Sequence, residues 1–210
     1  MTRTLSIADL QGIFADLSRT MAENFDVLTE LDAAAGDGDL GITMSKGFAA
    51  AAKAAEACTE KDAGRLLLVA GMAIAREAPS TLGTLIASGF MKAAKEVTGK
   101  DAITLADSAR ALSGFVHGIM DRGKCKPGEK TIVDALLPAV EALQTASPEQ
   151  SFAGAWQQAL TAAEKGLEST KQMKAVHGRA AYQGQNSIGK LDPGATVGIL
   201  LVKTIVAAVG

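Results

Sequence analysis

Apolar residues recur every three or four positions along most of the chain, which is the spacing of one face of an α-helix. In the first stretch Leu10, Phe14, Leu17 and Leu28 follow this spacing, and Ser6 stands where a helix N-cap is expected. The pattern therefore predicts one long first helix that begins after Ser6 and continues through Leu28. No stretch shows persuasive strand alternation.

The same spacing predicts seven more helices. The second is expected at about 42–58, the third after the cap Asp62, the fourth from near Ser80 and the fifth at about 104–122. The sixth is expected to begin around Glu129, the seventh at Ser147 and Pro148, and the eighth at Asp192, from where it runs to the C-terminus. Pro138 lies inside the sixth, where we expect a kink or a loosened turn because proline lacks the backbone N–H. Short connections favour antiparallel neighbours, so we predict an all-α fold. Residues 1–210 show no linker or repeat, and we expect one domain.

Composition excludes several classes of protein. The net charge of −2 and the lack of a Lys/Arg run give no footprint for nucleic acid. The longest apolar runs are short or carry a lysine, so we expect no membrane span. Two scattered cysteines, Cys58 and Cys125, make no disulfide framework and suit a reducing compartment. We therefore expect a cytoplasmic protein.

Candidate chemistry is concentrated in residues 31–41, which read LDAAAGDGDLG. Asp37 and Asp39 are separated only by Gly38, and their carboxylates repel each other unless a cation lies between them. Mg²⁺ prefers such oxygen ligands together with water and substrate phosphates, and the helix N-terminus that follows favours phosphate. Acidic residues next to glycine are also ordinary turn material, so the motif alone leaves a solvated loop equally open.

Three further segments between helices combine glycine with hydroxyl or basic side chains. Ser80 and Thr81 begin the fourth helix, residues 123–131 form a basic Pro–Gly turn, and Arg179 follows a glycine. Each can also be explained without a ligand: Ser80 as an N-cap, residues 123–131 as a connection between helices, and Arg179 as a surface arginine. The glycines nevertheless occur in groups, and we infer that several loops converge on one ligand at one end of the bundle. The grouped positions are Gly36, Gly38, Gly41, Gly123, Gly128, Gly178, Gly184, Gly189 and Gly194.

Three other kinds of site lack support in the sequence. Residues 184–190 nearly match a Walker A loop, but Leu191 replaces the closing hydroxyl residue and no strand precedes the segment. Two histidines and two distant cysteines make no convincing zinc site. No nucleophile-elbow sequence supports a catalytic triad.

Four ordered blocks cover nearly the whole chain and carry a family resemblance: LDAAAGDGDLG, PSTLGT, GKCKPGEKTIVDALLPAVEAL and HGRAAYQGQNSIGKLDPGAT. They resemble the nucleotide-binding (L) subunit or domain of dihydroxyacetone kinases. The resemblance implies a barrel of eight antiparallel helices with ATP or ADP bound at one end. It also implies two Mg²⁺ ions that bridge the nucleotide phosphates.

The resemblance assigns roles by position. It makes Asp32, Asp37 and Asp39 the metal ligands, and other residues the lining of the nucleotide pocket. That lining comprises Leu40, Gly41, Ile42, Thr43, Gly123, Ile132, Arg179, Asp192, Pro193 and Gly194.

This chain departs from the family pattern at two places. Leu40 stands where the acidic loop of the family often has histidine. Residues 78–83 are shorter than the usual Gly-Gly-x-Ser-Gly phosphate loop, although we still expect Ser80 and Thr81 to contact phosphate.

The resemblance also implies a division of labour with a partner. In the family a separate K subunit or domain holds the ketose covalently through a histidine, so we expect this chain to supply the phosphoryl group. The donor is either ATP or a phosphohistidine carrier of the phosphotransferase system. A nucleotide-dependent regulatory module acting on a partner protein is the alternative, and a purely structural bundle or a kinase with another substrate, such as a fatty acid, fits less well.

Overall fold

The structure is a computed structural model that describes residues 3–147 and 149–210, and helices dominate this part of the chain. The α-helices are α1 Ile7–Glu23, α2 Phe25–Ala33, α3 Leu40–Glu56, α4 Ala63–Glu77, α5 Thr81–Glu96, α6 Leu105–Gly123, α7 Ile132–Gln144, α8 Phe152–Ser169 and α9 Pro193–Val209. Short 3-10 turns span Thr170–Gln172 and Arg179–Ser187. Two short strands, β1 Leu5–Ser6 and β2 Ala102–Ile103, pair antiparallel.

The helices form a closed ring. From α3 onward each helix packs against the next one in the chain, α1 packs on α3, and α9 returns to contact α1 and α2. Successive helices are antiparallel: Gly64 at the start of α4 lies against Thr98 just beyond α5, and Gly166 near the end of α8 lies against Asp134 at the start of α7. With α1 and α2 counted as one interrupted element, the described residues form the predicted barrel of eight helices.

The prediction of one continuous first helix is wrong. Asn24 leaves helical geometry, with φ −101° and ψ 15°, and separates α1 from α2. Its side-chain Nδ2 donates to the Thr20 carbonyl at 2.8 Å, the same oxygen that accepts from the Asn24 backbone N–H. Asparagine disrupts helices in this way because its amide competes for backbone partners. The apolar spacing continues across the break, so periodicity alone did not reveal it.

Other helix boundaries differ from the predictions by a few residues. The sixth predicted helix begins at Ile132 rather than near Glu129, because Thr131 and Asp134 form a capping box. The seventh begins at Phe152, where the Ser151 hydroxyl accepts from the Gly154 N–H. The start predicted at Ser147 and Pro148 falls partly on Pro148, which lies outside the described residues.

Helix α7 continues through Pro138 to Gln144. Proline removes the N–H that would bond the carbonyl of Asp134 four residues earlier. Gly166 of α8 packs directly against this carbonyl, at a place where a β-carbon would collide with it. The missing hydrogen bond thus coincides with the closest approach of the two helices.

The interior of the ring is apolar. Three phenylalanines pack in a row across it, with ring centroids 5.4 Å apart for Phe14 and Phe90 and 4.9 Å apart for Phe90 and Phe115. A cavity of about 120 Å³ beside them is lined almost wholly by carbon. Within the described residues no helix combines the length and the apolar character needed to cross a membrane.

Antiparallel order gives the barrel two different ends. One, which we call the site end, holds the starts of α3, α5, α7 and α9 and the ends of α2, α4, α6 and α8. The other, the distal end, holds the β1–β2 ladder and the starts of α1, α4, α6 and α8. Every candidate site residue named from the sequence belongs to the site end.

Candidate nucleotide and metal site

Three carboxylates meet in the acid loop, which we define as residues 32–39. Asp32 comes from the last turn of α2, and Asp37 and Asp39 come from the connection to α3. Each offers a carboxylate oxygen, and these atoms lie within 4.8 Å of one another. Gly38 has φ +74°, a conformation that glycine adopts without strain, so it makes the turn between the two later aspartates. The structure therefore brings together the three predicted metal ligands.

Asp32, rather than Asp39, caps helix α3. Asp39 occupies the N-cap position of α3, but its side chain makes no cap hydrogen bond. Asp32 does this instead, since its Oδ2 accepts from the backbone N–H groups of Asp39 at 3.0 Å and Leu40 at 3.3 Å. The Asp39 carboxylate is left exposed to solvent and available to a ligand.

The cluster accumulates negative charge. Burial, together with the neighbouring charges of Asp37 and Asp32, raises the pKa of the Asp39 carboxyl above its usual range, while Arg179 opposes the rise. Arg179 forms an ion pair with Asp37, with Nη2 2.6 Å from Oδ2. Both side chains are well exposed, so a phosphate group has access to this guanidinium.

The first turn of α3 lies beside the carboxylates. Leu40, Gly41 and Thr43 are buried and only Ile42 is exposed, at 43% of its surface. Amides in the first turn of a helix have no partner within the helix, and Asp32 uses only the Leu40 amide of this turn. No hydrogen bond among the described residues uses the Gly41 and Ile42 amides, so both donors are available to an anion at this helix start.

Ser80, Thr81 and Gly123 lie at the same end of the barrel as the acid loop, and the α4–α5 connection that carries Ser80 packs on α3, where Ala78 adjoins Gly47. The Ser80 hydroxyl caps α5 by accepting from the Gly83 N–H at 3.0 Å, and Thr81 is exposed. Gly123 is the last residue of α6. Among the described residues no hydrogen bond joins these three to the acid loop.

The starts of α7 and α9 adjoin each other and form a buried floor. Ile132 and Pro193 are buried, and Gly194 lies beside the Ile132 backbone. The Asp192 carboxylate caps α9 by accepting from the Ala195 N–H at 2.6 Å. Burial raises the pKa of Asp192 to about 7, although that hydrogen bond and Lys130 act against the rise. Of the predicted lining residues here, Ile132, Asp192 and Pro193 are buried and Gly194 is half-buried.

The sequence did not reveal several contacts around the site. Gln183 and Lys190 donate to the Ala34 carbonyl of the acid loop. The buried Lys130 ammonium donates to two backbone carbonyls, those of Thr170 and Lys190. Only the capping box that follows Lys130, formed by Thr131 and Asp134, has a recognisable sequence pattern. The other contacts join segments that are distant in sequence and could not be predicted from it.

The donor set fits a hard divalent cation. Three clustered carboxylates, one with a raised pKa, offer only oxygen ligands, which Mg²⁺ prefers over nitrogen or sulfur. Two of the three residues are exposed, which leaves room for water and phosphate oxygens in the remaining coordination positions.

Comparisons with known proteins agree with this geometry. Residues 34–207 match the model of the DAK2 domain family. The chain is 34% identical over 182 residues to the PEP-dependent dihydroxyacetone kinase, ADP-binding subunit DhaL of Escherichia coli, covering 86% of this chain and 87% of that protein. It is 33% identical to an L-erythrulose 1-kinase of Mycolicibacterium smegmatis, covering 94% of this chain but 35% of that longer protein.

A solved structure has the same fold. The dihydroxyacetone kinase of C. freundii in complex with AMP-PNP and Mg²⁺ superposes with a TM-score of 0.73 at 23% identity, over 99% of this chain and 35% of that one. The matched family model covers Asp37, Asp39, Arg179 and most of the final helix in one continuous stretch. This chain is a member of the DAK2 domain family.

Proposed function

We propose that this chain is the nucleotide-binding, phosphoryl-donating subunit of a dihydroxyacetone kinase or of a kinase for a related short-chain ketose. The observation that carries the proposal is the meeting of three carboxylates and one arginine at the site end, within a chain whose relatives are named as ADP-binding subunits of such kinases. We further propose that residues 1–210 form one nucleotide-binding domain and that the protein is cytoplasmic, as two unpaired cysteines favour.

The proposed ligand is ADP or ATP with two Mg²⁺ ions. Asp32, Asp37 and Asp39 would hold the metal, which when bound neutralises the charge of the nucleotide phosphates. The backbone amides of Gly41 and Ile42 donate to phosphate oxygens at the positive end of the α3 dipole. Ser80, Thr81, Gly123 and the α7 and α9 starts complete the pocket in this proposal.

Arg179 is the proposed clamp for the transferred phosphoryl group. Phosphoryl transfer needs alignment and charge stabilisation more than covalent help from the protein. A guanidinium offers two parallel N–H donors to phosphate oxygens, and Arg179 already lies on the metal-site carboxylate of Asp37. The ketose itself would be held by a separate K-type subunit docked at the site end.

Reconstitution tests the proposed function. The chain is mixed with the dihydroxyacetone-binding subunit of a relative, Mg²⁺, and either ATP or a phosphorylated phosphohistidine carrier. We expect phosphorylation of dihydroxyacetone or erythrulose with one of these donors, and loss of turnover in Arg179→Ala. Nucleotide binding without turnover under any donor would favour a regulatory module instead.

A further inference from the structure

One segment contacts the acid loop at three points. We call residues 179–190 the arginine segment. Arg179 reaches Asp37, the Gln183 side-chain N–H donates to the Ala34 carbonyl at 2.8 Å, and the Lys190 ammonium lies 3.4 Å from the same carbonyl. Lys190 also donates to the Gln183 side-chain oxygen at 3.0 Å. Gln183, Lys190 and the Ala34 carbonyl thus form a closed triangle of hydrogen bonds, which we call the clip.

The Ala34 carbonyl is a favourable place for the clip to attach. Ala34 is the C-cap of α2, where carbonyl groups lack helical partners and carry the negative end of the helix dipole. A cationic and an amide donor therefore satisfy this carbonyl well. Asp32 precedes it by two residues and Asp37 follows it by three, so this attachment lies between the metal-site carboxylates.

The other side of the clip is fixed to the body of the barrel. The Gly189 N–H donates to the Lys171 carbonyl at 2.7 Å, and the Lys190 carbonyl accepts from the buried Lys130 ammonium. The Ser187 hydroxyl accepts from the Ala175 N–H at 3.0 Å. Because this end is anchored, the clip holds the acid loop at a fixed position relative to the barrel.

We propose that Gln183 and Lys190 are positioning residues that hold the acid loop in register with Arg179, so that carboxylates and guanidinium engage one metal–nucleotide complex. The inference rests on the proposed function and adds to it two residues that do not ligate the metal. Groups that orient metal ligands from outside the coordination sphere affect metal affinity about 10- to 100-fold. The lysine and the glutamine act together, because each bonds the other as well as Ala34.

The test compares Mg²⁺-dependent ADP binding by calorimetry. The double variant Gln183→Ala/Lys190→Met removes the clip, and both side chains lie near the surface, so we expect it to fold. The matched control is Lys174→Met/Gln185→Ala, which removes an exposed lysine and an exposed glutamine of the same region. We expect the clip variant to bind Mg²⁺–ADP about ten-fold more weakly and to need more Mg²⁺ for half-maximal binding, with an unchanged melting temperature.

A second background separates positioning from a general structural role. In Arg179→Ala there is no guanidinium to align. If the proposal is correct, removal of the clip in this background weakens Mg²⁺–ADP binding by about two-fold or less. Lys190→Arg keeps the cation and is expected to restore most of the affinity. Equal affinity of clip variant and control, or the same ten-fold loss with and without Arg179, overturns the inference. If the wild type itself binds no ADP, the proposed function is wrong and the inference fails with it.

Discussion

In the acid loop, the helix cap and the exposed carboxylate are supplied by two different aspartates. Asp39 occupies the N-cap position of α3, where an aspartate ordinarily bonds the amides of its own helix. Here Asp32 accepts from the Asp39 and Leu40 amides, at 3.0 Å and 3.3 Å. The Asp39 carboxylate consequently makes no cap hydrogen bond, and partial burial and the charges of Asp37 and Asp32 raise its pKa. The sequence predicted that these residues belong together, but it did not predict which one serves as the cap.

Asp192 gives a prediction about pH and stability. Its pKa is raised by burial to about 7, well above the ordinary value of 3.8. Between these two values the folded protein binds more protons than the unfolded chain, so this group makes the free energy of unfolding fall as the pH rises from about 4 to about 7. Asp192→Asn keeps a side-chain acceptor for the α9 cap and removes the titration.

We therefore expect the stability of the wild type to fall relative to that of Asp192→Asn as the pH rises from about 4 to about 7. Urea unfolding at several pH values across this range measures it, with the exposed Asp101→Asn as control. Parallel curves for wild type and Asp192→Asn would contradict the assignment of the raised pKa to this carboxyl.

At the scale of elements, the packing of α2 on α3 depends on one glycine. A β-carbon on Gly41 would lie well inside contact distance of the Thr29 hydroxyl and the Phe25 carbonyl. The close approach places the end of α2, with Asp32, beside the start of α3. Gly12 of α1 is also helical, but a β-carbon there would meet no neighbouring atom within 4 Å.

This pair of glycines supports a matched prediction. Gly41→Ala should lower the free energy of unfolding by about 2 kcal/mol, because the side chain cannot fit without moving α2. Gly12→Ala should raise it by about 1 kcal/mol, because alanine is the better helix former and nothing obstructs it. Denaturant unfolding of the two variants measures both effects, and a stabilised Gly41→Ala would show that the helices do not approach this closely.

The sequence predicted that the helices exist, but it predicted their boundaries only where a capping residue could be recognised. Apolar spacing, together with the caps Asp62 and Asp192, predicted helices α3 to α9, but it predicted neither the division of the first helix nor the short β1–β2 ladder. Asn24 was missed because its effect comes from a side-chain hydrogen bond that leaves the apolar spacing intact. The contacts of Gln183 and Lys190 with Ala34 were missed because the partners lie 149 and 156 positions apart in the chain.

At the scale of the whole molecule, the two ends of the barrel are built differently. The distal end is closed by the β1–β2 ladder and by capping boxes at Ser6 and Thr104. Each end carries four helix starts, but the grouped glycines all lie at the site end. The antiparallel ring thereby brings the glycine-containing loops to one end of the barrel. The common ligand of these loops stays a prediction.

Hydrogen exchange with and without Mg²⁺–ADP tests this asymmetry. We expect slower exchange on binding at residues 32–43, 78–83 and 179–194, because a shared ligand would join these loops. The distal connections at residues 57–62 and 98–104 serve as the internal control and should not change. Protection confined to the acid loop would contradict convergence of several loops on one ligand.

The central claim, a metal-dependent nucleotide site at the acid loop, is tested most directly by titrating nucleotide-free protein with ADP in a calorimeter, with and without Mg²⁺. We predict tight binding only when Mg²⁺ is present, loss of that binding in Asp37→Asn, and wild-type binding in the distal control Asp101→Asn. Circular dichroism should show the same helical content in all three proteins. Equal heats with and without Mg²⁺, or unchanged binding by Asp37→Asn, would contradict the account.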